Sequence, residues 1–467
     1  MNVRADVDAL SSLVPGAGVR SDHVEMTGPD RVAASAFDVD RLLAASATYC
    51  VSSADAVVGA TPHRSIDLGH LLAFCTTHVE VDGQPVPAWA DLSGVYPTAD
   101  GRHLQIHCNF AHHADGVVRH LGCDPDPSSV ATAIGERDAF DLEDELVADG
   151  MIAAAVRTLE EWDAHPHAVA TRDLPPLSVT RIGAAGTGHA STAGGSTVGG
   201  ATVGGASSDS ERDDPLSGVR VLDCSRVLAG PVAGQMLAGF GADVLRAGAD
   251  HLPSVPVGVM STGFGKRNTS VDLRTERGAR EMSALLGETD VWIDAYRPGA
   301  MAGHGFTPER AAELRPGIVV VQICAFDWVG PWAGRRGFDS IVQSTTGIRA
   351  AGGACGVGVS EPLGLPVQAL DYATGFLAAG VAAQLLRHRR DVGGSWLARV
   401  SLLRTRNWMA SFGGPVEFTP AAVGVDRWLL DSVDSNFGRL TAVRPFAGRW
   451  PSPPRRLGTS APAWNRG

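Results

Sequence analysis

No long unbroken hydrophobic run occurs in this sequence. The longest apolar stretch, Gly375 to Leu386, is about a dozen residues and contains Gln384, against the ~20 that a bilayer span requires. No membrane-spanning helix is expected. Between Met1 and Asp30 the residues Arg4, Asp6, Asp8 and Arg20 interrupt any apolar core, so a secretory signal is not read there. Seven dispersed cysteines are an odd number and include no Cys-x-x-Cys pair, which excludes a disulfide framework or zinc ribbon and suits reduced thiols in the cytoplasm. A dense cationic face is also lacking. The net charge is −12, which argues against a nucleic-acid partner.

Several cofactor and catalytic signatures are missing too. The first turn of the C-terminal half has Gly230 and Gly234 but no Gly-x-Gly-x-x-Gly, and Gly265-Lys266-Arg267 lacks the loop glycine of a phosphate-binding Gly-x-x-x-x-Gly-Lys. A nicotinamide or ATP cofactor is therefore not expected. No Gly-x-Ser-x-Gly elbow marks a serine hydrolase. Eleven of the fifteen histidines lie in residues 1–182, including His103, His107, His112 and His113. Without a carboxylate or Cys at ligand spacing they imply no metal site.

What is present is ample for two packed regions: 467 residues, 44% hydrophobic and 19% charged. Residues 1–214 carry 12 Lys and Arg against 31 Asp and Glu, whereas residues 215–467 carry 27 against 20. A moderately basic half in an acidic chain fits a domain that handles a small polyanion. Residues 183–214 are rich in Gly, Ser and Thr and read as a flexible linker. They separate an N-terminal domain, 1–182, from a C-terminal one, 215–467. Outside this tract no long-period repeat is visible.

In the N-terminal region, Leu42 to Val58 and Asp144 to Trp162 have helical spacing, Val79 to Val86 and His103 to His107 alternate like strands, and Asp100-Gly101 signals a hairpin. The expectation is mixed α and β. After the linker, strands at Val219 to Asp223, Ala242 to Leu245, Val291 to Ala295 and Ile318 to Ile323 alternate with helices beginning near Leu228, Thr275 and Pro308. That pattern predicts an α/β fold with a parallel sheet. A longer helix runs from Asp371 to His388 and ends in cations. Asp371 sits where extended chain turns into this helix. It reads either as a plain N-cap or as a carboxylate nucleophile able to attack an activated acyl group.

From Pro215 to about Arg406 the chain resembles the family III CoA-transferases. The segments that carry the likeness are Pro215-Leu-Ser-Gly-Val-Arg-Val-Leu-Asp, Ala229-Gly-Pro, Gly241-Ala-Asp-Val, Gly265-Lys-Arg-Asn, Val271-Asp-Leu, Tyr296-Arg-Pro-Gly-Ala, Gly330-Pro-Trp, Gly337-Phe-Asp and the Asp371 turn. The resemblance implies a Rossmann-like domain and coenzyme A, as acyl-CoA donor, with a carboxylate acceptor. It implies Asp371 as nucleophile, with Asp339 as a second carboxylate that orients substrate or structure. By position it carries CoA contacts onto Arg226, Ala229, Lys266, Arg267, Tyr296, Arg297 and Arg336. It further implies a homodimer. Residues from about Val57 to Arg172 look like the family's smaller domain, which makes the domain order rearranged.

The sequence departs from the family in places. The second strand ends Arg246-Ala247-Gly248 where Lys-x-Glu is usual, and Gly303-His304 replaces an Arg-containing turn. Phe338 stands where racemases of the family hold a histidine, and it has no proton to exchange. Two alternatives to CoA transfer therefore stay open: an acyl-CoA racemase or isomerase, and a catalytically silent CoA-binding or scaffolding homologue.

Overall fold

The computed structural model describes residues 1–16, 18–59, 61–184 and 214–465. All but the ends of the expected linker 183–214 lies outside the described residues. A seven-stranded sheet runs in the order Lys266–Ser270, Asp243–Gly248, Arg220–Cys224, Val291–Asp294, Val319–Cys324, Ser395–Ser401, Leu177–Gly183. The first six strands are mutually parallel, and Leu177–Gly183 closes the edge antiparallel to Ser395–Ser401. The α/β expectation is met in this mixed, mostly parallel sheet. Numbered from Arg220 onward, the parallel strands stand 3-2-1-4-5-6, so the winding reverses between Arg220–Cys224 and Val291–Asp294.

Alternate side chains of each strand face opposite layers. Val221, Val291, Val319 and Val321 pack under the helices Ala229–Gly239 and Ala369–Val392. Leu222, Leu245, Trp292 and Val320 pack on the other face against Glu276–Gly287 and Pro308–Leu314. Ala369–Val392 is long and apolar enough by length and composition to cross a membrane, yet its most apolar stretch is wholly buried in the protein. Gly375 lets it do so: a Cβ there would lie 2.7 Å from the Ala229 carbonyl oxygen and 2.8 Å from Val232.

The core does not divide at residue 182. One apolar cluster runs from Val7 through the helix Val39–Val57 to Phe446, and the edge strand Leu177–Gly183 belongs to the large sheet. A separate small core, Leu92 to Ala155, holds a three-stranded antiparallel sheet of Gly94–Pro97, His103–Ile106 and Ala153–Ala155. Its hairpin turns at Gly101 with φ +73°, as Asp100-Gly101 foretells. The expected helix from Asp144 to Trp162 is instead a helix, Ala139–Ala148, the strand Ala153–Ala155 and a second helix, Leu159–Ala164. Gly150, at φ +81°, ends the first, and a Thr158–Glu161 capping box starts the last. Likewise Val79 to Val86 is two short strands, because Asp82 and Gly83 both take positive φ and form a tight turn.

The small unit is fastened to the large sheet by buried polar contacts. Glu143, from Ala139–Ala148, receives Arg157 at 2.6 Å and Arg335 at 2.5 Å, all three nearly without solvent exposure. Arg335 also stacks on Trp332 at 3.9 Å. Ser344 donates to Gln105 at 2.5 Å.

Candidate active site

Loops leaving the carboxyl ends of Arg220–Cys224 and Val291–Asp294 open a cleft of about 970 Å3 at the winding reversal, the place where open α/β sheets bind ligands. The first loop is strained. Val227, β-branched and lining the cleft, holds φ +69°, a conformation such residues avoid. The helix that follows has no side-chain cap on its first turn. The N–H of Ala229 turns instead to the carboxyl of Asp371.

Asp371 is the third residue of Ala369–Val392, so it is not the N-cap; Gln368 holds that place. Its side chain reaches the cleft, yet the residue is only 7% exposed. Burial first, and then the neighbouring charge of Asp339, push its carboxyl well above the ordinary carboxylate range, while the Ala229 N–H pulls the other way. Asp339 is fully buried behind it. One of its oxygens accepts the Asp371 backbone N–H at 2.9 Å, and the other accepts the Gln343 amide. Burial raises Asp339 to about 6, opposed by those hydrogen bonds and by Arg349. With more donors aimed at it, Asp339 is the member of the pair whose charged form the hydrogen bonds favour. Asp339 does not line the cleft. It fixes the first turn of the helix that carries Asp371.

Arg226, Tyr296, Arg297 and Arg336 line the same cleft as Asp371. Among the described residues, no carboxylate pairs with Arg226, Arg297, Arg336 or the buried Arg246, whereas most other cations of this region are paired. Arg246 adjoins both Arg226 and Tyr296, a neighbour that sequence reasoning did not assign. Burial lowers the Arg226 guanidinium, as does Arg246. Planar guanidiniums without a carboxylate partner, gathered at a cleft, match the geometry of phosphate groups.

Lys266 and Arg267 are placed elsewhere. Lys266, the sole lysine of the sequence, is 1% exposed and donates to Asp223 at 2.8 Å and to the Pro231 carbonyl at 2.6 Å. It bridges sheet and helix, and does not line the cleft. Arg267 pairs with Asp243 and reaches the Ala463 carbonyl. Both are framework residues, a correction to the CoA contacts expected of them.

The opposite wall comes from the small unit. Phe110, His112 and His113 enter the cleft, and the Arg226 guanidinium lies 4.7 Å over the Phe110 ring. Phe338 lies 6.2 Å from Phe110, and His107 stacks on Phe338 at 4.0 Å. Burial drives His107 down to about 4 and His113 down to about 3, the latter helped by His112. Both rings are therefore neutral. Nothing in the linear spacing of Phe110, His112 and His113 pointed to this wall, because it exists only once the two units dock.

Residues 216–418 match the sequence model of CoA-transferase family III. A succinate–glutarate CoA-transferase of Agrobacterium fabrum is 34% identical over 204 residues, which is 39% of this chain and 49% of that protein. An acetyl-coenzyme A transferase of Hypoxylon pulicicidum is 31% identical over 199 residues, 42% of this chain and 33% of that protein. A solved hypothetical protein of Mycobacterium tuberculosis aligns with 29% identity over 43% of this chain and 57% of its own, with a TM-score of 0.38. The chain thus spans between a third and a half of the two curated relatives. The segment 216–418, which contains Asp371 together with Arg226, Arg246, Arg297 and Arg336, is thus what this chain shares with CoA-transferase family III.

Proposed function

We propose that the protein transfers coenzyme A between carboxylic acids, with Asp371 as nucleophile and a Rossmann-like domain holding the nucleotide end of CoA. The observation that carries this reading is the shared cleft: the Asp371 carboxyl beside the Ala229 N–H, its own backbone N–H bound by Asp339, and Arg226, Arg297 and Arg336 lining the same space. In the first step the ionised Asp371 attacks the thioester carbonyl of the donor, expelling the CoA thiolate and forming a mixed anhydride. The thiolate then attacks the aspartyl carbonyl, releases the donor acid and leaves an aspartyl-CoA thioester. An acceptor carboxylate attacks that carbonyl and forms a new anhydride. Return of the thiolate to the acceptor acyl group yields the new acyl-CoA and restores the Asp371 carboxylate. Arginines on the phosphates keep the thiol near the carboxyl between steps, which makes its return effectively intramolecular.

Phe110 of the small unit meets Phe338 of the large one across the cleft and keeps water out, which protects the anhydride from hydrolysis. Phe338 cannot exchange a proton, so racemisation lacks its second acid–base group. Seven cysteines without a disulfide suit a reducing cytoplasm. The resemblance carries a homodimer with it. The test is to incubate the protein with single acyl-CoA donors and a panel of mono- and dicarboxylic acids and to follow new thioesters by chromatography. New acyl-CoA that disappears in Asp371→Asn is expected. CoA binding without any exchange across the panel favours the silent homologue.

A further inference from the structure

The helix Val39–Val57 crosses Ala369–Val392 at close quarters. A Cβ added at Gly380 would lie 2.6 Å from Tyr49 Cδ1 and 3.2 Å from Cys50 Cα, so glycine is what lets the two backbones meet. Gly380 stands about nine residues after Asp371, and Tyr49 the same distance after Asp40. The match continues beyond the helices. Val24–Thr27 pairs in parallel with Arg64–Asp67, as Val319–Cys324 does with Ser395–Ser401. Thr27 lies opposite Asp67, and Cys324 lies opposite Ser401. Asp67 and Ser401 then cap the next helix in the same way, accepting the N–H of His70 at 2.8 Å and of Arg404 at 3.1 Å.

We infer that residues 24–74 and 319–410 are two copies of one strand–helix–strand–helix unit, joined through equivalent positions as two subunits join about a two-fold axis, and that one chain thereby completes its own cleft. This replaces the expectation that the chain has no long-period repeat. The first copy is silent. Asp40, at the position of Asp371, is buried and its carboxylate accepts the N–H groups of Val32 and Ala33 at 3.0–3.3 Å. The first copy also passes directly from Thr27 toward Val39, without the segment that supplies Arg336, Phe338 and Asp339 in the second. Its role is to fill the face of the long helix at Gly380, which would otherwise be open to a second chain. The small unit follows it in sequence and is carried onto the cleft, so that Phe110, His112 and His113 face Asp371 of the same chain. The inference concerns which chain closes the cleft and does not depend on the reaction run there.

A cross-link decides it. His103 Nε2 lies 2.6 Å from Glu361 Oε2 and joins the small unit to the loop before the long helix. In His103→Lys, a carbodiimide couples the new amine to Glu361 with no spacer. The expected result is a 103–361 linked peptide in protein that still migrates as one chain on a denaturing gel. A linked peptide found only in covalent two-chain species, or no linked peptide at all, overturns the inference. Light scattering on the unsubstituted protein guards against a folding defect in the variant: the mass of one chain supports closure within the chain, and for a two-chain mass the denaturing gel decides. Trapping an acyl adduct on the peptide containing Asp40 would also overturn the assignment of a silent copy.

Discussion

Replacing Asp339 by Asn removes the buried charge that holds the Asp371 turn. In the folded protein Asp339 keeps its proton up to about pH 6; in the unfolded chain it loses it near the ordinary value of 3.8. The folded state therefore binds the extra proton between those values, and stability falls as pH rises through that window. A gap of about two pH units corresponds to roughly 3 kcal/mol lost by neutral pH. Asn does not titrate, so Asp339→Asn lacks this fall. Its unfolding free energy relative to the parent should climb by up to about 3 kcal/mol between about pH 4 and pH 7, whatever constant offset the changed hydrogen bonds add. Urea unfolding at several pH values, followed by tryptophan fluorescence, measures it. The same substitution relieves Asp371 of a neighbouring negative charge, so the acidic limb of kcat/KM should move to lower pH. A stability difference that stays flat across this range, with an unmoved limb, would refute the argument that these two carboxyls share one buried charge.

Other expectations follow from the placement of the cations and of the small unit. Arg226→Ala or Arg336→Ala should raise the KM for acyl-CoA by about tenfold to a hundredfold, from the loss of one charge-assisted phosphate contact each; steady-state kinetics at fixed ionic strength reads this. Lys266→Ala should instead destabilise by about 3–5 kcal/mol, because Asp223 is left as an unpaired buried charge, while the KM of the folded fraction stays put. Glu143→Gln leaves both Arg157 and Arg335 without their carboxylate, and a loss of about 3–5 kcal/mol in urea unfolding is expected.

The sequence was most readable where one periodicity dominated. The runs Val219 to Asp223 and Ile318 to Ile323 are apolar on both faces because helices cover both sides of the sheet, so they announced buried parallel strands. Asp371 was also legible, since extended chain gives way to a long helix at that point. Lys266 misled because a strand-borne lysine next to Arg267 reads as a surface cation. What turns it inward is Asp223 on the adjacent strand and the missing side chain of Gly234, whose Cβ would lie 2.9 Å from Lys266 Nζ. The strand Ser395–Ser401 escaped notice because Arg399 interrupts an otherwise apolar run. The strand Leu177–Gly183 did so because an edge strand has only one neighbour to satisfy. The repeated unit left little trace in residue identity: Asp40 and Asp371 share only a common residue type, and Asp67 and Ser401 match only in register and capping, which are properties of the folded backbone.

The reaction itself turns on a bond to one side chain. Incubation with an acyl-CoA that proves to be a donor, a quench with hydroxylamine and mass analysis of the peptide containing Asp371 would find that bond. A hydroxamate on Asp371, absent in Asp371→Asn and absent without donor, is the predicted result. An unmodified Asp371 peptide in protein that is nonetheless exchanging CoA between acids would contradict it.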